Sequence, residues 1–170
     1  KPRGLITTHN APQGRTTIFE RLPARLGRVV SAGRLDLNSE GLLLLTNDGG
    51  LARRLERSNW RRRYRVRVHG TIDPERLARL ARGATIEGVR YAPFEAAIES
   101  KRGTNTWLTL SLREGKNREA RRIMEALGGQ VTRLIRTAFG PFQLGALASG
   151  KIAKVPAKVL AEQLGKDGLG

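Results

Sequence analysis

The sequence predicts an α+β fold around a largely antiparallel sheet, on three observations. Several segments alternate apolar and polar residues as half-buried strands do, others carry helical spacing with identifiable caps, and the two kinds follow one another without a regular strand-helix-strand repeat. In chain order, Lys1 to Thr8 begins without Met and with a strand-like apolar stretch, Leu5-Ile6, already under way, as a fragment of a longer chain would. Val29 to Gly33 reads as a buried strand running into a glycine turn. Leu42 to Leu45 reads as a second short buried strand, closed by Asn47-Asp48-Gly49-Gly50. Asp48 is placed to cap a helix running to about Arg57. Tyr64 to His69 alternates apolar and basic residues, a strand with one cationic face that can lie on RNA. In Thr71 to Arg82, Asp73 is the N-cap and Pro74 the first helical residue, with Leu77, Ala78, Leu80 and Ala81 as the apolar face. Phe94 to Ile98 and Trp107 to Leu112 read as paired strands. Asn117 to Leu127 spaces Ala120, Ile123, Met124 and Leu127 as a helix, presents Arg118, Arg121 and Arg122 on its other face, and stops at Gly128-Gly129. Val131 to Arg136 is a further strand and Pro156 to Leu164 a terminal helix. Met124, Trp107 and Phe142 are expected in the core, and His9 and His69 in surface or structural positions.

Composition narrows the chemistry. The 170 residues carry 32 Lys and Arg against 15 Asp and Glu, a formal net charge of +17, and 39% hydrophobic residues are enough to fold a core. With no Cys and two His, disulfide frameworks, thiolate nucleophiles, Fe–S clusters and Cys-based zinc sites are excluded. The apolar run Leu42 to Leu45 is far short of the roughly 20 residues a membrane helix needs, so no membrane association is expected. Basic runs such as Arg53-Arg54, Arg61-Arg62-Arg63 and Arg121-Arg122 are spread through segments that read as folded. That distribution predicts a basic surface for a polyanion, nucleic acid first, since each Lys or Arg meeting a phosphate releases counterions. An Arg-rich composition without any ligand is the other reading of the same charge.

Phosphate-loop, dinucleotide, zinc-protease and serine-hydrolase motifs are absent, so no nucleotide cofactor or metal is expected. What remains is one acid in unusual company. Asp36, in Gly33-Arg34-Leu35-Asp36, follows an apolar strand and precedes the polar Asn38-Ser39-Glu40-Gly41. A carboxylate beside a phosphate-binding surface is costly unless it has a role or a partner. A structural Asp36, paired to Arg34 or capping a turn, is the alternative.

These residues carry a resemblance. Gly33-Arg34-Leu35-Asp36, then Ser39, Gly41 to Leu45 and Thr46-Asn47-Asp48-Gly49, resembles the signature G-R-L-D-x-x-[ST]-x-G-L-L-L-L-T-N-D-G of the RsuA-type ribosomal RNA pseudouridine synthases. Lys1-Pro2-Arg3-Gly4, Tyr64-Arg65-Val66, the run Glu114 to Arg122 and Val131 to Arg136 follow in the family's order. Asn105-Thr106-Trp107 and Asn117-Arg118-Glu119 are most similar to the large-subunit members. The pattern departs at Arg62, where the family often has Lys or an acid, and at Ala120, where Val or Ile is usual.

The resemblance implies a mixed, mostly antiparallel bent sheet flanked by helices. It makes residues 1–170 a catalytic domain of two sub-lobes sharing that sheet, with nothing corresponding to the family's N-terminal S4-type RNA-binding domain. It implies Asp36 as the catalytic aspartate, Tyr64 as the tyrosine that stacks on the target base and is a candidate for proton transfer, and Lys116 as the cation paired with the aspartate, with Arg118 the alternative for that pairing. Arg34, Arg61, Arg62, Arg63, Arg118, Arg121 and Arg122 are the candidate RNA contacts. The implied reaction breaks the N1–C1′ bond of a uridine, turns the uracil and rejoins it through C5; a carboxylate acting at the ribose suits it, with no cofactor. The implied substrate is a uridine of large-subunit (23S) ribosomal RNA, and the implied setting a cytoplasmic monomer. A small-subunit uridine, or a non-catalytic RNA-binding assembly role, are the alternatives.

Overall fold

A computed structural model of the chain describes residues 1–116 and 118–165. Its elements in order are β1 (Val30–Ser31), β2 (Glu40–Gly41), β3 (Leu45–Thr46), α1 (Gly49–Arg57), β4 (Arg62–His69), α2 (Pro74–Ala81), β5 (Ala84–Ile86), β6 (Val89–Tyr91), β7 (Glu95–Arg102), β8 (Asn105–Leu112), α3 (Glu119–Ala126), β9 (Gln130–Phe139), β10 (Phe142–Gln143) and α4 (Ala157–Leu164). They form two compact units, Asn59–Gln143 and Lys1–Ser58 together with the residues from Leu144 on.

The Asn59–Gln143 unit is a sheet in the order β10-β9-β4-β8-β7, every neighbouring pair antiparallel. Alternation along β4 sends Val66 and Val68 to one face, and register sets Leu108 and Leu110 of β8 and Leu134 of β9 beside them. α2 lies against β7 and α3 against β9, burying that face with Leu77, Ile123, Met124 and Leu127. At roughly 25 cal/mol per Å² of apolar surface removed from water, this layer is the unit's main source of stability. α2 starts where expected, the Asp73 carboxylate accepting from Glu75 N–H at 3.0 Å.

The opposite face carries Arg63, Arg65 and Arg67, in register with Ser111, Thr109 and Trp107. Trp107 therefore corrects the expectation that it is core: it is half-buried, on the strand face away from the helices. Phe142 and Met124 are buried as expected. The hairpin of β5 and β6 was not foreseen. Its two-residue turn, Glu87-Gly88, has φ of +49° and +80°, the mirror-image geometry that matches strand twist, reached without the usual Asn-Gly signal. Between β9 and β10, Gly140 turns at φ +55° with the Trp60 indole where a side chain would stand.

In the other unit, strand structure is sparse. β1 pairs β3 over two residues, and Ala32 N–H donates to Leu44 C=O at 2.9 Å. Three expectations are corrected. Lys1 to Thr8 holds no strand, only a parallel bridge from Ile6 to Thr17. The strand expected at Val29 to Gly33 shrinks to the half-buried β1, and Leu42 to Leu45 contributes only its last residue to β3, although Leu42 is buried. The physical reason is shared: short continuous apolar runs carry no period, so they report burial without reporting conformation. α1 forms as expected, Leu51 N–H donating to the Asp48 carboxylate at 3.0 Å. No helix among the described residues is long and apolar enough to cross a membrane.

Candidate active site

Asp36 lies in the sparse unit, on a loop that opens at Gly33 with φ +80°. Its neighbours Leu35 and Ser39 are buried, while Asp36 is half-exposed. Ser39 N–H donates to the Asp36 carbonyl at 2.9 Å and Gly4 N–H to the Leu37 carbonyl at 2.8 Å, fixing the turn. The Lys1 ammonium fixes it again, donating to the carbonyls of Ser39 at 2.6 Å, Pro2 at 3.0 Å and Leu37 at 3.4 Å. Burial drives the Lys1 pKa down to about 8, and the charges of Asp36 and Glu40 act in the opposite direction. A carboxylate held on a pinned backbone, with a cation in its field, is equipped to act as nucleophile or base. Sequence reasoning gave Lys1 no role; the signal was the Lys1-Pro2-Arg3-Gly4 match itself. Arg34 is exposed on the same loop.

Tyr64 and Lys116 belong to the sheet unit. Tyr64 is half-buried against the core and faces Arg136 across the β4–β9 pair. The Arg136 guanidinium is buried, hydrogen-bonds the Tyr64 phenol and lies 5.3 Å from the Phe139 ring centroid. Burial lowers its pKa, and its contact with Tyr64 opposes that shift. Sequence reading missed Arg136. The available signal was its parity in β9 with Leu134, which sends it to the covered face.

The Lys116 ammonium donates to the Arg90 carbonyl, stands 3.5 Å from a Glu114 carboxylate oxygen and lies 5.6 Å from the Tyr91 ring centroid. Within its own unit, its carboxylate partner is thus Glu114. Glu114 also accepts from Ala92 N–H at 2.7 Å. Beside it, Glu119 is buried and its pKa is pushed up to about 8, by burial first and by Glu114 second. Two carboxylates can only accept; a proton on Glu119 turns it into a donor to Glu114, and burial alone would raise Glu114, but this bond, the Ala92 N–H and Lys116 bring it below the usual carboxylate value. This contact stands beside the segment that bears Lys116 and Arg118. Arg118 itself holds φ +54°, a left-handed conformation just before α3.

The candidate RNA arginines separate by burial. Arg63 and Arg118 are exposed; Arg61 makes a two-pronged bond to Glu95 at 2.7 and 3.3 Å, and Arg122 stands 3.5 Å from Glu87. Arg62 and Arg121 are buried, which corrects the expectation of a solvent-facing basic run at each. Arg62 donates to the carbonyls of Trp60 and Arg113 at 3.0 and 3.2 Å, with its guanidinium 4.8 Å from the Phe139 centroid, and so ties the end of β4. Arg121 shares with Arg118, Glu125, Gln130 and Val131 the lining of an open cavity of about 400 Å³.

Comparison with known proteins supplies the family. Residues 1–126 match the sequence family described as RNA pseudouridylate synthase. An uncharacterised RNA pseudouridine synthase of Rickettsia bellii (strain RML369-C) is 49% identical over 161 residues, 94% of this chain and 69% of that protein. The ribosomal large subunit pseudouridine synthase B of Yersinia pestis is 46% identical over 147 residues, 85% of this chain and 46% of the relative, so the chain spans about half of that protein's length. A crystal structure of a pseudouridylate synthase superposes with a TM-score of 0.83 at 26% identity, covering 94% of this chain and 69% of that one. An archaeal box H/ACA Nop10–Cbf5 complex shares the fold, with a TM-score of 0.59 at 18% identity over 84% of this chain and 46% of that one.

Proposed function

Because the chain belongs to the RNA pseudouridylate synthase family, we propose that residues 1–170 are a catalytic domain converting a uridine of large-subunit ribosomal RNA to pseudouridine in the cytoplasm. The observation that carries the mechanism is the pinned loop of Asp36, buried on either side and held through its carbonyls by Lys1. Asp36 acts at the ribose as nucleophile or base while the N1–C1′ bond breaks; the uracil turns, C5 bonds to C1′, and the C5 proton is released as N1 takes one up. Atoms and electrons balance without an oxidant or reductant.

Tyr64 offers its ring to the unstacked base, with Arg136 fixing the phenol from behind. Lys116 supplies positive charge beside Glu114 and Glu119. Arg34, Arg61, Arg63, Arg118 and Arg122 give the phosphate contacts that position the RNA. The large-subunit assignment is supported by likeness to the Yersinia pestis synthase B and to the synthase of the same name from Salmonella typhi, 45% identical over 85% of this chain and 50% of the relative. Its test is to incubate the chain separately with large- and small-subunit ribosomal RNA transcripts and map pseudouridine by carbodiimide-induced reverse-transcription stops. One new stop in the large-subunit RNA is expected; a stop only in the small-subunit RNA would move the target.

A further inference from the structure

We propose that the open face of the sheet, centred on Arg65, Trp107 and Arg67, is a second RNA-docking surface that grips phosphates outside the stretch carrying the modified uridine. The proposal rests on the reading of the chain as an RNA-modifying enzyme, and concerns the part of this face around Trp107 to which that reading gives no task, beyond Arg61 and Arg63 at its edge. Register along β4 and β8 runs unbroken from Arg62 to His69, so Arg63, Arg65 and Arg67 point away from the helix-covered side to which Tyr64, Val66 and Val68 belong.

The face is built. The Arg65 guanidinium lies 4.5 Å and that of Arg67 5.7 Å from the Trp107 ring centroid. Arg65 Nε donates to Glu99 at 3.0 Å and Arg67 Nε to the Thr132 hydroxyl at 2.9 Å, and that hydroxyl donates to the Arg67 carbonyl at 3.2 Å. Both side-chain bonds use Nε, which leaves the terminal nitrogens of each fork for a ligand. A guanidinium stacked on an indole keeps its hydrogen-bonding edge, and holding it in place beforehand lowers the entropic cost of gripping a phosphate. Arg133 stands opposite Arg67 in the β4–β9 pair, adding charge to the same face.

Charge complementarity selects the occupant. Arg61, Arg63, Arg65 and Arg67 outnumber Glu95 and Glu99, which are met by Arg61 and Arg65. An apolar protein partner would bury several guanidinium groups without anions, a heavy desolvation cost. A polyphosphate backbone gains bidentate Arg contacts and the release of its counterions. Long ribosomal RNA supplies such a backbone beyond the segment being modified; a short hairpin does not.

The experiment compares wild type with the double variant Arg65→Gln, Arg67→Gln on a full-length large-subunit transcript and on a short hairpin excised around the mapped pseudouridine, following filter binding and tritium release over a salt series. The double variant is expected to bind the long RNA about tenfold more weakly, with a log–log salt slope shallower by about 2, since each lost phosphate contact removes about 0.9. Its kcat/KM on the hairpin is expected to be unchanged. Equal behaviour of the two proteins on the long RNA, or a proportional loss on both RNAs, would overturn the proposal. Since unstacking Trp107 could disturb the sheet, photocrosslinking of the wild type to 4-thiouridine-substituted long RNA is the independent arm. Crosslinks in the β8 peptide that carries Trp107 are expected, and crosslinks confined to other segments would overturn it. A wild type inactive on both RNAs would sink the enzymatic reading instead, and binding and crosslinking would still decide the docking face.

Discussion

The sheet β10-β9-β4-β8-β7 and the loop that carries Asp36 are held by different physics. The sheet positions Tyr64 by strand register and a close-packed apolar layer in which Val66, Val68, Leu108 and Leu110 are fully buried. The Asp36 loop, between strands of two residues, is fixed by backbone hydrogen bonds and by one lysine bonded to three carbonyls. Stability is thus concentrated in the first region and, on the proposed function, reactive geometry in the second, so damage to each should read out differently: one as unfolding, the other as lost rate in a folded protein.

Leu110→Ala tests the first half of that contrast and carries the largest loss of stability expected from removing a contact. It removes a buried side chain from the centre of the sheet and should cost about 3 kcal/mol, read from urea unfolding with an unchanged m value. Lys1→Met tests the second half. Without the ammonium the Asp36 carbonyl turn slackens, and because an ångström of misplacement costs up to about 100-fold, kcat should fall by roughly that factor with Tm nearly unchanged. A Tm loss matching that of Leu110→Ala would erase the distinction between the regions.

Arg136→Gln sharpens the contrast from inside the sheet, where a buried polar group serves the site. About a tenfold loss in kcat is expected from the freed phenol, with partial recovery in Arg136→Lys, which restores a donor. Glu119 is tested through pH. Its pKa rises from 4.5 unfolded to about 8 folded, so across that window the folded chain keeps a proton that the unfolded chain has lost. Stability should therefore be greatest at or below pH 4.5 on this account and fall as pH rises towards 8. Glu119→Gln should flatten this component in Tm measured against pH.

How much of this was legible in the sequence follows the same division. β4, β8 and the helices α1, α2 and α3 were readable because alternation, Asp48 and Asp73 caps and helical spacing are local signals. The interior of the Lys1–Ser58 segment was not, because Leu42 to Leu45 is apolar without a period and its conformation is set by distant partners such as Ala32. The motif singles out Asp36, but the clamp from Lys1 joins residues 36 to 38 positions apart and leaves no local trace. Arg62, Arg121 and Trp107 were misplaced for one reason: residue type was weighed above strand or helix parity, and parity decided which side each faces. Arg136 was missed in the same way. A basic chain invites every arginine to be read as a phosphate ligand, yet three of these line the interior.

The most direct test of the central claim, that the pinned carboxylate of Asp36 does the chemistry, is tritium release from large-subunit ribosomal RNA labelled at C5 of uridine, comparing wild type with Asp36→Asn. The account predicts release by the wild type and a loss on the order of 10⁴-fold in the variant, with RNA affinity and Tm preserved. Turnover by Asp36→Asn within a few-fold of wild type would contradict it.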